Sequence, residues 1–330
     1  MSVKSLLEKS YQKVTFQLAR LLSSKRPLGL NIETYNLCNL RCKMCPYELM
    51  TRKKEKMSME LFKKIIDDAV TLGIREVTLS FYNEPLLDDL LFDRVRYAKS
   101  KGMKVGFFSN GTLNRNAEIL ESGVDFITFS FDGETKETYE NIRRGANFEK
   151  VIENIRSLIK EKRRRGLDKP YITVSLRVQK ENFSEVKDFI KLWADLADNV
   201  HIGPTEDRRR EKPRMQNCEI VNCVFPCWEL LGISKLYVMS NGKVTVCCQD
   251  YDGKLVVGDL TKQSIQEVWN SEKFQRIRKL HLSGKGDLIN FCRNCEGLYT
   301  GAAWWAFLVK KLRLDFSIFR YMYFRLRRVS

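Results

Sequence analysis

Cys38, Cys42 and Cys45 stand as C-x3-C-x2-C in the run Tyr35-Asn36-Leu37-Cys38-Asn39-Leu40-Arg41-Cys42-Lys43-Met44-Cys45-Pro46. Three thiolates this close in sequence can face one small inorganic cluster. Zinc sites usually offer four ligands, commonly as paired C-x2-C units, whereas three cysteines leave one position of a four-iron cluster open to another molecule. A second group lies downstream: Cys227, then Cys247 after Gly242, then Cys292-Arg293-Asn294-Cys295. Four cysteines complete a coordination shell, as an iron-sulfur cluster or as a zinc ribbon. Cys218, Cys223 and Cys248 remain; Cys223 or Cys248 can replace one of the four, and any of the three can serve as a hydrogen donor.

Ten cysteines gathered in this way point to metal rather than disulfides. The chain of 330 residues, 43% hydrophobic and 30% charged, carries enough apolar material for a core without staples. No run approaches the ~18 apolar residues of a spanning helix, and no cleavable export signal is evident, so a reducing cytoplasm is expected.

The elements that must position the first cysteines form an alternation. Leu28 to Thr34, Glu76 to Phe81, Lys104 to Ser109, Phe126 to Phe131, Tyr171 to Val178 and Val200 to Gly203 read as strands with room for a helix between each pair. Ser58 is expected to cap a helix whose buried stripe is Leu61, Ile65, Ile66 and Val70, ended by Gly73. Lys160 to Arg165 reads as a solvated helix end. Six such units predict an α/β fold, an open partial (β/α)6 TIM-like barrel or a doubly wound sheet, with the cysteine loop leaving the C-terminal end of the first strand. After Gly203 the texture becomes basic, then cysteine-rich, with a hairpin expected at Leu236 to Met239 and Lys243 to Val246 around Asn241-Gly242. The predicted division is an N-terminal amphipathic helix at 1–27, the barrel at 28–212, an auxiliary domain at 213–300 and a basic aromatic tail at 301–330.

The C-x3-C-x2-C run, with bulky Met44 before its last cysteine, resembles that of radical S-adenosylmethionine enzymes. The resemblance implies that Cys38, Cys42 and Cys45 hold a [4Fe-4S] cluster. S-adenosylmethionine on the fourth iron would then be cleaved reductively to a 5′-deoxyadenosyl radical that abstracts hydrogen. It further implies that Tyr82-Asn83-Glu84-Pro85 corresponds to a Gly-Gly-Glu-Pro-like segment meeting the methionine amino group, with Asn83 in place of the last glycine. Ser109-Asn110 and Ser130-Phe131-Asp132 resemble segments near the ribose and methionine, and Arg177 is placed to pair with the carboxylate. Turn chemistry also favours Asn110-Gly111 and Asp132-Gly133.

The downstream cysteines resemble the SPASM and shorter twitch extensions of the same family, over residues of about 225 to 297. No cysteine follows Cys295, so one auxiliary [4Fe-4S] cluster is expected, on Cys227, Cys247, Cys292 and Cys295. The family resemblance leaves three outcomes. An auxiliary cluster taking an electron gives dehydrogenation, as in twitch enzymes acting on aminocyclitol alcohols. A thiol such as Cys218, Cys223 or Cys248 returning hydrogen gives epimerisation, and peptide modification is the third. The 27 residues ahead of the barrel are expected to be too few for the leader-binding domain of many peptide-modifying relatives. A non-catalytic zinc-stabilised polyanion-binding protein is the alternative from another class.

The charge is +17, of which residues 1–26 hold +5 and residues 310–330 hold +6. Leu312, Phe316, Phe319, Tyr323 and Leu326 make an amphipathic stripe among arginines, preceded by Trp304, Trp305 and Phe307, and Leu7, Tyr11, Val14, Leu18 and Leu21 make another. Such helices pack on the barrel or lie peripherally on an anionic membrane, which would suit a lipid-linked substrate. A basic body also suits an acidic flavodoxin or ferredoxin as electron donor. No recognition helix or RNA motif points to nucleic acid.

Overall fold

The computed structural model describes residues 16–17, 25–205, 227, 235–293 and 295. The chain forms two compact units, one of Pro27–Arg209 with Lys235–Trp269, the other of Met1–Arg26, Arg210–Ser234 and Asn270–Ser330.

The first unit is the expected alternation. Its strands are β1 (Gly29–Ile32), β2 (Glu76–Thr78), β3 (Lys104–Ser109), β4 (Phe126–Ser130), β5 (Tyr171–Val178) and β6 (Asn199–Pro204). Between them lie α1 (Met59–Thr71), α2 (Leu91–Ser100), α3 (Asn116–Glu121), α4 (Lys136–Ile142), α5 (Phe148–Arg164) and α6 (Val186–Ala194). Each of these strands pairs in parallel with the next, as helical crossovers require. The parallel sheet and its helices bear out the partial barrel, and all the strands present their C-terminal ends on one edge, where the loops gather.

The sheet does not stop at β1. The expected hairpin, β7 (Lys235–Val238) and β8 (Lys243–Thr245), joins it together with β9 (Val256–Asp259), giving the order β6-β5-β4-β3-β2-β1-β7-β8-β9. Strand β7 lies parallel to β1 with Leu30 opposite Leu236, while β8 and β9 run antiparallel. The unit closes with α7 (Ile265–Asn270). In the other unit, α8 (Glu272–Leu282) is capped by Ser271, whose side chain accepts the Phe274 N–H.

Local signals act largely as the residues suggest. Ser58 accepts the Leu61 N–H at 3.1 Å, and Gly73 ends the helix with φ of +73°. The buried stripe of α1 is rotated from the expected one: Phe62, Ile65, Ile66 and Ala69 are buried, while Leu61 and Val70 are half-buried. The basic end of α5 also differs, because Lys162 is buried and its ammonium donates to Asp198 at 2.7 Å. The core beside β4 is aromatic: Phe131 stacks on Tyr139 with centroids 4.4 Å apart and meets the Trp193 edge at 5.4 Å.

Candidate active site

Beyond β1 the chain turns through Glu33, Thr34 and Asn36, all fully buried. Asn36 acts as a clamp. Its side-chain nitrogen donates to the Lys53 carbonyl at 2.7 Å and its oxygen accepts the Glu55 N–H at 2.7 Å, which closes the cysteine loop at its base. Tyr47 closes it further out, its hydroxyl accepting the Cys38 N–H at 2.9 Å and donating to the Asn36 carbonyl at 3.2 Å. Asn39 ties the loop to the end of β3: its oxygen accepts from Asn110 Nδ2 at 2.9 Å, and its nitrogen donates to Thr112 at 2.8 Å. On the far side the Arg41 and Lys43 N–H groups donate to the carbonyls of Arg144 and Ile142, both at 2.9 Å. A loop of irregular backbone is thus fixed at four places, and Cys38, Cys42 and Cys45 stand on it, none of them in a disulfide.

Against this loop lies a largely buried charge that the sequence pattern did not single out. Arg143, just past α4, has Nη1 3.8 Å from the Cys42 sulfur, while its Nε and Nη2 meet Asp132 Oδ2 at 2.8 and 2.5 Å. Burial pushes the Cys38 thiol up to about 12 and the Cys42 thiol above its ordinary value, with the guanidinium acting against that rise at Cys42. A cation at this point suits a set of thiolates or an anionic cluster more than neutral thiols. Asp132 also accepts the Arg177 N–H at 2.7 Å, and Asn182 donates to the Asp132 carbonyl at 3.0 Å. Gly133 follows where a Cβ would lie 2.6 Å from the Tyr139 nitrogen, so this glycine serves close packing rather than a turn.

The segment after β2 is equally determined. Glu84 is buried, and its carboxylate accepts from Ser109 Oγ at 2.9 Å, Asn110 N–H at 2.7 Å and Leu86 N–H at 3.1 Å. Burial outweighs these three donors and raises the carboxyl to about 7. Asn83 Oδ1 accepts the Phe81 N–H at 2.8 Å, and its Nδ2 is buried with no hydrogen-bond partner. Ser109 and Asn110 are therefore brought to Glu84, and Gly111 turns the chain with φ of +74°. Ser130, at the end of β4, is half-buried. Arg177 lies opposite Gly203 of β6, where a Cβ would stand 2.6 Å from its Nη1. Tyr82 is buried, and its hydroxyl donates to the Cys248 carbonyl at 3.1 Å.

The downstream cysteines divide between the units. Cys247 and Cys248 lie in the first, where Cys247 Sγ accepts the Gln249 N–H at 3.4 Å. In the second, the Cys227 N–H donates to His281 Nδ1 at 3.3 Å, and the Cys295 N–H donates to the Cys292 carbonyl at 3.0 Å. Cys218 and Cys223 lie outside the described residues, as do the two terminal stripes save 16–17. Among the described residues no helix is long and apolar enough to cross a membrane, and no three Cys, His, Asp or Glu side chains are gathered as a site for one metal ion.

Residues 32–196 match the radical SAM superfamily model. The chain belongs to that superfamily. Residues 227–296 match a second model, the SPASM iron-sulfur cluster-binding domain. Membership makes the chain a radical SAM enzyme with a [4Fe-4S] cluster, S-adenosylmethionine and auxiliary iron-sulfur chemistry, and it displaces the non-catalytic zinc reading. The donor set fits: three cysteines outside any disulfide, a guanidinium facing one of them, and an unpartnered Asn83 amide in the segment beside them.

Among curated relatives, the chain is 31% identical over 175 residues to the tungsten-containing aldehyde ferredoxin oxidoreductase cofactor-modifying protein of Pyrococcus furiosus, covering 51% of this chain and 48% of that protein. It is 33% identical over 181 residues to the GTP 3′,8-cyclase of Alkaliphilus oremlandii, covering 53% and 55%. The chain thus spans about half the length of these two relatives. With the S-adenosyl-L-methionine-dependent 2-deoxy-scyllo-inosamine dehydrogenase of Niallia circulans the identity is 23% over 281 residues, covering 82% of this chain and 92% of that one. The solved structure of BtrN with AdoMet and 2-DOIA superposes with a TM-score of 0.56 at 19% identity, over 82% of this chain and 93% of that chain. Native anSMEcpe with bound AdoMet gives 0.60 at 17% identity, over 83% and 88%, and these two likenesses concern the fold.

Proposed function

We propose that this radical SAM enzyme abstracts hydrogen from a small polar, sugar-like or lipid-linked substrate and oxidises it. The observation that carries the reading is the cysteine loop itself, with Cys38, Cys42 and Cys45 on a fixed backbone and the largely buried Arg143 guanidinium 3.8 Å from Cys42. Cys38, Cys42 and Cys45 would hold the first cluster. When bound, the cluster and S-adenosylmethionine supply the carbon radical that takes the hydrogen atom. The chain's own part is to place and shield the reactants. Asn83 offers its buried amide to the cofactor, Glu84 holds Ser109 and Asn110 in register, and Asp132 holds Arg143 against the loop. Tyr82, Ser130 and Arg177 complete the proposed cofactor contacts.

In the same proposal Cys227, Cys247, Cys292 and Cys295 would hold one auxiliary cluster, which would accept the electron left on the substrate radical once the hydrogen atom is taken, and an acidic flavodoxin or ferredoxin would supply the separate electron that reduces the first cluster. The auxiliary region is taken as residues 213–300. Dehydrogenation is favoured over epimerisation because, of the relatives compared, the one that aligns over 82% of this chain is a dehydrogenase. A thiol route to epimerisation would draw on Cys218, Cys223 or Cys248.

The test is anaerobic purification, reconstitution, and measurement of iron, sulfide and 5′-deoxyadenosine, with 2-deoxy-scyllo-inosamine as first probe substrate. About eight irons per chain are expected, falling to about four without cleavage when Cys38, Cys42 and Cys45 become Ala. Zinc without iron, or iron without cleavage, refutes the reading. Deuterium from heavy water appearing in the product carbon would replace oxidation by epimerisation.

A further inference from the structure

Tyr82, at the head of the segment that leads to Glu84, joins two loops through its side chain and its backbone. The ring is 4% exposed and meets Phe81 and Tyr251 edge-on at 4.7 and 6.0 Å. Its hydroxyl donates to the Cys248 carbonyl at 3.1 Å, one residue from Cys247, while its own N–H donates to Glu33 Oε1 at 3.3 Å. One residue, standing beyond β2, therefore touches both the end of β1 and the turn after β8.

The link is braced from the other side. Glu33 is fully buried and receives the Arg52 fork at 2.7 and 2.9 Å. Arg52 Nε in turn donates to the Tyr251 carbonyl at 2.7 Å, and the Thr51 N–H donates to Asp252 at 2.7 Å. The turn is rigid in itself, since buried Asp250 accepts from the Thr245 hydroxyl at 2.6 Å and from the N–H groups of Lys254 and Leu255 at 2.7 and 2.8 Å. A displacement of the segment at Tyr82 thus has few ways to be absorbed before it reaches the Cys247 peptide.

We propose that Tyr82 is a positioning residue that couples the S-adenosylmethionine segment to the auxiliary cluster through its hydroxyl bond to the Cys247–Cys248 turn. This rests on the reading above that Cys247 is a ligand. Hydrogen bonds around cluster cysteines tune the cluster, so fixing this turn sets its electronic environment. By linkage, cofactor binding and the state of that cluster influence each other.

Three proteins test it: the wild-type holoenzyme, the Tyr82→Phe variant, and the Cys247→Ala control, each assayed for iron and by electron paramagnetic resonance with and without S-adenosylmethionine. Cys247→Ala should lose about four irons. Wild type should show an auxiliary signal whose position and midpoint potential shift when S-adenosylmethionine is added. Tyr82→Phe should keep its iron while that shift falls by at least half. In a Cys38, Cys42 and Cys45→Ala background, where only the auxiliary cluster remains, Tyr82→Phe should still move its signal. Full iron in Cys247→Ala overturns the proposal through the ligand reading. Unchanged Tyr82→Phe spectra beside an iron-depleted Cys247→Ala overturn the link itself. If Tyr82→Phe does not load, Arg52→Lys, which replaces the guanidinium that bridges Glu33 and the Tyr251 carbonyl, must move the same signal, and no movement there refutes the coupling.

Discussion

Replacing Arg143 by Met isolates what the buried charge beside the cysteines does. Arg143 holds both donors on Asp132 Oδ2, and Asp132 is fully buried, so the variant leaves a carboxylate in the interior with one remaining donor, the Arg177 N–H. Breaking a buried ion pair from one side costs about 3–5 kcal/mol, because the surviving charge keeps its desolvation penalty. At roughly 2–4 °C per kcal/mol for a domain of this size, the apoprotein should melt roughly 6–20 °C lower. The double variant Asp132→Leu with Arg143→Met removes both charges and should recover most of the loss, a coupling that a double-mutant cycle measures directly. Arg143 also works against the upward push that burial gives the Cys42 thiol. Iron loading of Arg143→Met should therefore need a higher pH than wild type even where both are folded. Thermal melts by circular dichroism, and iron content after reconstitution across pH 6.5 to 9, supply the two readings. A melting change under ~2 °C, or a double variant no better than the single one, would refute the argument that this pair is a coupled buried unit.

Other consequences follow from the same geometry. Glu84 holds its proton to about pH 7, above the ordinary 4.5, so stability from this group is fully present below about 4.5 and is lost as the pH rises towards 7. Glu84→Gln should flatten that window, by at most about 3 kcal/mol, in the wild-type minus variant difference of urea melts at pH 5 and 8. Because burial keeps the Cys38 and Cys42 thiols protonated at neutral pH, cluster assembly should release protons and load faster at pH 8.5 than at 6.5, read by absorbance near 400 nm. Equal rates would count against that. Gly133→Ala puts a methyl 2.6 Å from the Tyr139 nitrogen and should cost about 1–3 kcal/mol, with loss of the Tyr139 to Phe131 stacking visible in near-ultraviolet dichroism.

Much of this was legible in the residues. The cysteine run at 38–45 stands out by its spacing and by what it resembles, and the six parallel strands by alternation, because apolar periodicity and turn residues are local properties. What could not be read was contact across the sheet. Arg143 looks like one more basic residue at a helix end, and only the fold brings it to Cys42 and Asp132. The hairpin was evident from Asn241-Gly242, yet its pairing with β1 depends on partners some 200 residues apart, such as Leu30 and Leu236. Glu84 reads as an acceptor available to a ligand, whereas its oxygens are already engaged by Ser109, Asn110 and Leu86.

These engaged side chains share one design. Glu33 with Arg52, Asp88 with Arg94, and Asp132 with Arg143 are ion pairs whose carboxylates are fully buried, and each follows the C-terminal end of a strand: β1, β2 and β4 in turn. A buried pair adds little net stability over an apolar substitute. Its value is angular, since a guanidinium fork accepts few arrangements of its partner, and irregular backbone has no ladder of its own to fix it. Loops that hold the cysteines, a turn and the Glu84 segment in register therefore carry their charges inside. The arrangement requires that removing a pair as a unit spare the fold but loosen the loop. Paired apolar replacement at Asp132 and Arg143 should consequently restore melting while leaving cluster loading impaired, and recovery of both together would show that the charges serve the cluster no better than packing does.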